Sequence, residues 1–132
     1  MTLKILTIKK SIEFKKISNI SNKKTNKFFA QTLILLSSET DSRYFQDLQS
    51  QKNAKDFCRV GYTVSKKVGN AVARNKAKRR LREVFAKLAD SYATIHRDYI
   101  IIAKKEIAGA DFDKISSDLK FCLKRIDNKP SK

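Results

Sequence analysis

Residues 59–82 read RVGYTVSKKVGNAVARNKAKRRLR. Nine of these side chains are Lys or Arg and none is Asp or Glu. Three local patterns follow one another in the stretch. From Cys58 to Ser65 the chain alternates, with Cys58, Val60, Tyr62 and Val64 on one face and Arg59, Gly61, Thr63 and Ser65 on the other, the period of a β-strand. Lys66, Lys67 and Gly69 then break the alternation, and Asn70 stands where a helix wants its N-cap. Beyond it Ala77, Leu81, Val84, Phe85 and Leu88 recur at i, i+4, i+7, i+8 and i+11, a core-facing helical stripe. At about 100° per residue, Asn75, Lys78, Arg79 and Arg82 fall on a contiguous arc mostly opposite that stripe. The helix therefore anchors itself with one side and offers donors with the other. A strand, a basic turn and a helix in this order predict a mixed α/β domain, and their uncompensated charge predicts a polyanionic partner.

Working outward, Ser11 is a plausible cap for a short helix to about residue 19, with Phe14 and Ile17 on one face. Residues 20–27 read as a polar loop, and residues 28–36 (FFAQTLILL) as one well-buried strand. The polar stretch 37–56 reads as a long hairpin loop with room for a helical turn at 44–49. Downstream, residues 99–103 (YIIIA) form a short apolar strand. Ile115, Leu119, Cys122, Leu123 and Ile126 mark a last amphipathic helix with Asp111 or Asp113 near its start. The expected fold is a single domain over 1–132, an α/β (α+β) sandwich. Its central, mostly antiparallel sheet of about four strands carries helices in the order α-β-β-β-α-β-α. Residues 1–10 and 127–132 are expected to be loose.

The charge is regional. The whole chain of 132 residues carries a formal +17 with 30 Lys or Arg against 13 Asp or Glu. Residues 1–82 hold 20 basic and 5 acidic side chains, a balance of +15, whereas residues 83–132 hold 10 and 8, a balance of +2. A general solubilising surplus would not concentrate in this way, and nucleic acid is the partner such a footprint fits. Cys58 and Cys122 are far apart, and the single His96 lies between expected elements, so a structural metal site is not anticipated. Free thiols, no membrane span and no signal peptide point to a cytoplasmic protein. The carboxylates are scattered, which leaves the chain itself without an evident catalytic constellation.

Phosphate recognition wants fixed cations and free backbone N–H groups, and a helix N-terminus adds the positive end of its dipole. The expected RNA-contacting set is Lys66, Lys67 and Asn70 in the turn, with Arg74, Asn75, Lys78, Arg79, Arg80 and Arg82 along the helix. The phosphate-binding pattern GxxxxGK[ST] is absent. A solvated basic helix face is the bland alternative. It fits poorly, because two successive elements are both basic and acid-free.

The run from Val60, VGYTVSKKVGNAVARNKAKRRLRE, resembles the signature of the bacterial ribonuclease P protein component, the RNR motif (S/A)KK-x-G-x-A-V-x-RN-x-x-KR-x-x-RE. Ser65, Lys66, Lys67, Gly69, Ala71, Val72, Arg74, Asn75, Lys78, Arg79, Arg82 and Glu83 match it. Similarity extends to the segment around Phe14, the 28–36 strand and DYIIIAKK at 98–105; loop 37–56 departs from the pattern by its length. The resemblance implies a subunit that binds the catalytic RNA of ribonuclease P and promotes removal of 5′ leaders from precursor tRNA. The RNA would carry out the hydrolysis with Mg²⁺, and the protein needs no obligate protein partner. It also implies a left-handed βαβ crossover, against the usual hand. A cleft between the first helix and the sheet would hold the single-stranded leader, with Phe14, Lys27, Phe28 and Gln31 as its expected contacts, through aromatic contact with unstacked bases. Glu83 is expected to pair with Arg79 or Lys87 on its own helix. The alternative is a general structured-RNA-binding module such as a ribosomal protein, whose composition would be similar but whose motif spacing would not. A DNA-binding protein lacks support, since no helix-turn-helix pair or dimer seam is present.

Overall fold

The computed structural model describes residues 4–8, 26–40 and 57–126. Five strands form one sheet: β1 (Lys4–Thr7), β2 (Asn26–Phe29), β3 (Leu33–Glu39), β4 (Phe57–Val64) and β5 (Arg97–Ala103). Their spatial order is β1-β4-β5-β3-β2. Helix α1 (Ala71–Tyr92) joins β4 to β5, a 3₁₀ turn (Lys105–Gly109) follows β5, and α2 (Phe112–Ile126) closes the described chain.

The mixed α/β class stands, with four refinements. The sheet has five strands, and only β2–β3 and β3–β5 pair antiparallel; β1–β4 and β4–β5 are parallel. Part of the arm expected to be loose is β1, which aligns Lys4 to Thr7 with Phe57 to Val60. The single strand expected at 28–36 is two strands around a tight turn, in which Ala30 N–H donates to the Leu33 carbonyl at 2.8 Å. Residues 37–39, expected as loop, complete β3 opposite Tyr99, Asp98 and Arg97. The helix expected from Ser11 to about residue 19, the helical turn at 44–49 and the 127–132 tail lie outside the described residues.

Register divides the sheet into two faces. Phe28, Leu33, Leu35, Cys58, Val60, Tyr62, Tyr99, Ile101 and Ala103 point one way and pack under both helices. Into this layer α1 inserts Ala77, Leu81, Val84, Phe85 and Ala89, and α2 inserts Ile115, Leu119, Cys122, Leu123 and Ile126. Ala89 takes the fully buried place expected for Leu88, which is only partly buried. Cys58 and Cys122 are buried free thiols. Burial pushes the Cys122 thiol up to about 11, with the Asp118 carboxylate adding to the rise.

The opposite face carries Ile8, Ile34, Leu36, Ile100 and Ile102 as a smaller apolar cluster. Beside it lies a buried ion pair. Arg59 donates through Nε and a terminal nitrogen to the two Asp98 carboxylate oxygens at 2.8 and 2.6 Å, and Thr40 Oγ donates to the same carboxylate at 2.7 Å. The register places Arg59 directly beside Asp98 on neighbouring strands. Arg59 is thus the one cation of the opening stretch that folding consumes outright.

A second buried carboxylate ties the sheet to α2. Asp118 accepts from the backbone N–H of Thr32 at 3.0 Å and from its hydroxyl at 2.7 Å, and pairs with Lys114 at 3.1 Å. Burial alone would raise the Asp118 carboxyl; the bonds from Thr32 and Lys114 outweigh it and hold the group below the ordinary carboxylate value. At the start of α2, Asp111 rather than Asp113 is the cap, its Oδ1 accepting from Lys114 N–H at 2.8 Å.

Candidate RNA interface

The turn between β4 and α1 is built from the inside. Val68 is buried and pins it to the core, so Lys66 and Lys67, the two central residues of the bend from Ser65 to Val68, stand in solvent. Val68 N–H bonds the Ser65 carbonyl at 3.1 Å and Gly69 N–H bonds the Lys66 carbonyl at 3.2 Å, which closes the bend. Gly69 has φ +150°, and a Cβ there would lie 2.9 Å from the Ala73 Cβ. Both the backbone angle and the space demand glycine at this position. Asn70 caps α1 as expected, its side-chain oxygen accepting from Ala73 N–H at 2.9 Å. Its amide oxygen is therefore committed to the helix, although the residue itself is exposed.

Along α1 the expected donors separate into two groups. Asn75, Arg79 and Arg82 are exposed, beyond the core stripe, and Lys78, at the edge of that stripe, is half-buried. Arg82 lies near Tyr62 of β4, where its charge partly offsets the burial that pushes the phenol up. Arg80 does something else. Its guanidinium donates to the Ala110 carbonyl at 3.1 Å, bracing α1 against the segment that leads into α2. Lys87, a suggested partner for Glu83, instead lies over the Phe112 ring at 4.9 Å on that same flank. Arg80 and Lys87 are thus turned towards α2, and the open donor arc occupies the other side of the helix.

Arg74 is half-buried, and its Nε is buried without a hydrogen-bond partner. Relative to Ala77 it falls near the core stripe rather than on the outward arc, one turn inside the helix start. The combined surface of Lys66, Lys67, Asn75, Lys78, Arg79 and Arg82 runs from the turn along three helical turns with no Asp or Glu before Glu83.

The residues expected to hold a single strand are more scattered. Phe14 lies outside the described residues. Phe28 is directed to the helix side and packs against the main core, so its ring is not the exposed one. Its neighbour Phe29 is 64% exposed and shares the opposite face with Lys27 and Ile34. Gln31 is exposed at the β2–β3 turn. Alternation along β2 would have separated Phe28 from Phe29, but which of the two faced the core depended on a register set by β3. His96 sits at the turn before β5 with φ 59°, its ring 4.9 Å from Phe57, in a role fixed by packing. Among the described residues no group of three or more His, Cys, Asp or Glu is placed to hold a metal ion, and no helix is long and apolar enough to cross a membrane.

The family described as Ribonuclease P matches residues 4–127. A ribonuclease P protein component from Paramagnetospirillum magneticum is 36% identical over 126 residues, covering 96% of this chain and 86% of that one. One from Bacillus cereus is 35% identical over 115 residues, covering 87% and 92%. The solved ribonuclease P protein of Staphylococcus aureus superposes with a TM-score of 0.68 at 30% identity, covering 92% of this chain and 97% of that chain. That of Thermotoga maritima shares the fold, with a TM-score of 0.68 at 23% identity over 91% and 96% of the two chains. By sequence over nearly its whole length and by fold, the chain belongs to the bacterial ribonuclease P protein component family.

Proposed function

We propose that this chain binds the RNA subunit of ribonuclease P through the turn at Lys66 and Lys67 and the outward arc of α1, and that it helps that RNA remove 5′ leaders from precursor tRNA. The observation that carries the reading is the partition of α1. Its buried stripe fixes the helix on the sheet, Arg80 and Lys87 brace one flank, and the remaining side presents acid-free donors. Held this way, Arg79 and Arg82 are offered from a fixed helix, each with a planar fork that matches phosphate, and the capped N-terminus adds free N–H groups and dipole.

The precursor leader fits the sheet face opposite the helices. Phe29 offers an exposed ring for a base, Lys27 and Gln31 offer a cation and an amide, and Ile34 and Ile102 supply an apolar floor. Phe29 replaces Phe28 in this proposal, because the Phe28 ring serves the core. Hydrolysis belongs to the RNA, with Mg²⁺ held there. This chain's contribution is positive charge that lowers repulsion between two RNA molecules and so favours both substrate grip and cation binding. Cleavage of precursor tRNA by the cognate RNA at low Mg²⁺, with and without this chain, tests the proposal. A rate no higher with the chain than without it defeats the reading.

A further inference from the structure

Val72 is 76% exposed, the most exposed large apolar side chain among the described residues. It stands in the first turn of α1, one helical turn before Asn75 and two before Arg79, both exposed. Nothing among the described residues accounts for it. The core stripe leaves on the other side of the helix, and a β-branched residue is a poorer helix former than Ala at a position where packing does not decide. An isopropyl group thus stands beside the donors of this surface, at the N-terminal edge of their arc.

Resting on the RNA reading of α1, we propose that Val72 and Asn75 form a seat for one unpaired base of the RNA partner. Residues three apart on a helix are surface neighbours, so the two side chains act on one spot. Val72 gives the base an apolar floor, Asn75 places an amide donor and acceptor at its edge, and Arg79, a turn further on, takes the adjoining phosphate. The occupant is an unpaired base because a helix cannot enter the deep, narrow major groove of paired RNA, and a splayed base brings an apolar face that paired RNA hides. The surrounding charge argues for RNA as what covers the patch: Lys76 and Arg79 are helical neighbours of Val72 at i+4 and i+7, and no acid intervenes before Glu83. Recognition along α1 is therefore partly apolar, in a region whose composition reads as electrostatic alone.

The test compares Val72→Thr, a near-isosteric change, with wild type and Arg79→Ala, each bound to ribonuclease P RNA and to a fully paired RNA duplex over a range of salt. The expected result is a loss of about threefold to tenfold for Val72→Thr on ribonuclease P RNA, an unchanged salt slope, no loss on the duplex and an unchanged melting temperature. Arg79→Ala should instead flatten the slope on both. Wild-type affinity for Val72→Thr beside a flattened slope for Arg79→Ala overturns the base seat and leaves the RNA reading standing. Equal losses on both RNAs overturn the unpaired base in favour of contact with the sugar edge. No effect from either substitution removes RNA from this face of α1 altogether.

Discussion

Arg79 and Arg80 are adjacent and identical in chemistry, and both stand within the basic stretch of α1, yet the fold gives them different work. Arg80 is half-buried and donates to the Ala110 carbonyl at 3.1 Å. A hydrogen bond from a charged donor contributes roughly 1.5–3 kcal/mol when buried; partial exposure brings Arg80 to the lower end, about 1–2 kcal/mol with its packed methylenes included. For a chain of this size that is a fall in Tm of roughly 3–10 °C on Arg80→Ala. Arg79 is exposed. Its removal should leave stability within about 0.5 kcal/mol. It should reduce the slope of log affinity against log salt by about 0.7–0.9 for one lost phosphate contact. Differential scanning calorimetry and filter binding of ribonuclease P RNA at several salt concentrations measure the two quantities side by side. An Arg80→Ala chain that melts like wild type and loses slope as Arg79→Ala does would mean that α1 is rotated from the orientation described, and the partition of donors would fail with it.

Other consequences follow from the buried polar groups and the turn. Asp98→Asn removes the charge that the buried Arg59 guanidinium bonds through two nitrogens and should cost about 3–5 kcal/mol in urea unfolding, whereas Arg59→Met combined with Asp98→Leu should recover most of that loss; additive losses would argue against a coupled pair. Asp118 is held ionised by Thr32 and Lys114, so its stabilisation is present above the ordinary carboxylate value and disappears as pH falls through its lowered native value. Asp118→Asn should therefore destabilise at neutral pH and flatten the acid limb of Tm against pH; a parallel curve would dismiss the group as the source of that limb. Gly69→Ala places a side chain at φ +150° and 2.9 Å from Ala73, and should cost about 1–3 kcal/mol while weakening RNA binding by disordering the turn; unchanged melting would show that the turn relaxes freely.

What could be read from sequence was what is local and periodic. The α1 stripe, the Asn70 cap and the outward position of Asn75, Arg79 and Arg82 all follow from helical spacing, and the motif named the family. What escaped reading depends on partners distant in the chain. Arg59 looked like one more cation of the basic stretch because Asp98, its partner, is 39 residues away on the neighbouring strand. Arg80 looked equivalent to Arg79 because the Ala110 carbonyl lies 30 residues on. The β2–β3 turn carries no Gly or Pro to mark it, being held by Asp118 through Thr32, 86 residues apart. Strand β1 is four residues long and, among the described residues, pairs only with β4, too short to announce itself by alternation. Tertiary context decided each of these, and none contradicts the local pattern around it.

The central claim is that the outward arc of α1 is the surface that meets ribonuclease P RNA. Its most direct test is the salt dependence of binding to that RNA by a chain carrying Lys78→Ala, Arg79→Ala and Arg82→Ala together. These residues lie outside the core stripe, so the variant should melt close to wild type. Its slope should fall by about 2–3 relative to wild type, one phosphate contact for each cation removed. A folded variant with an undiminished slope would contradict the claim and place the RNA on another face of the molecule.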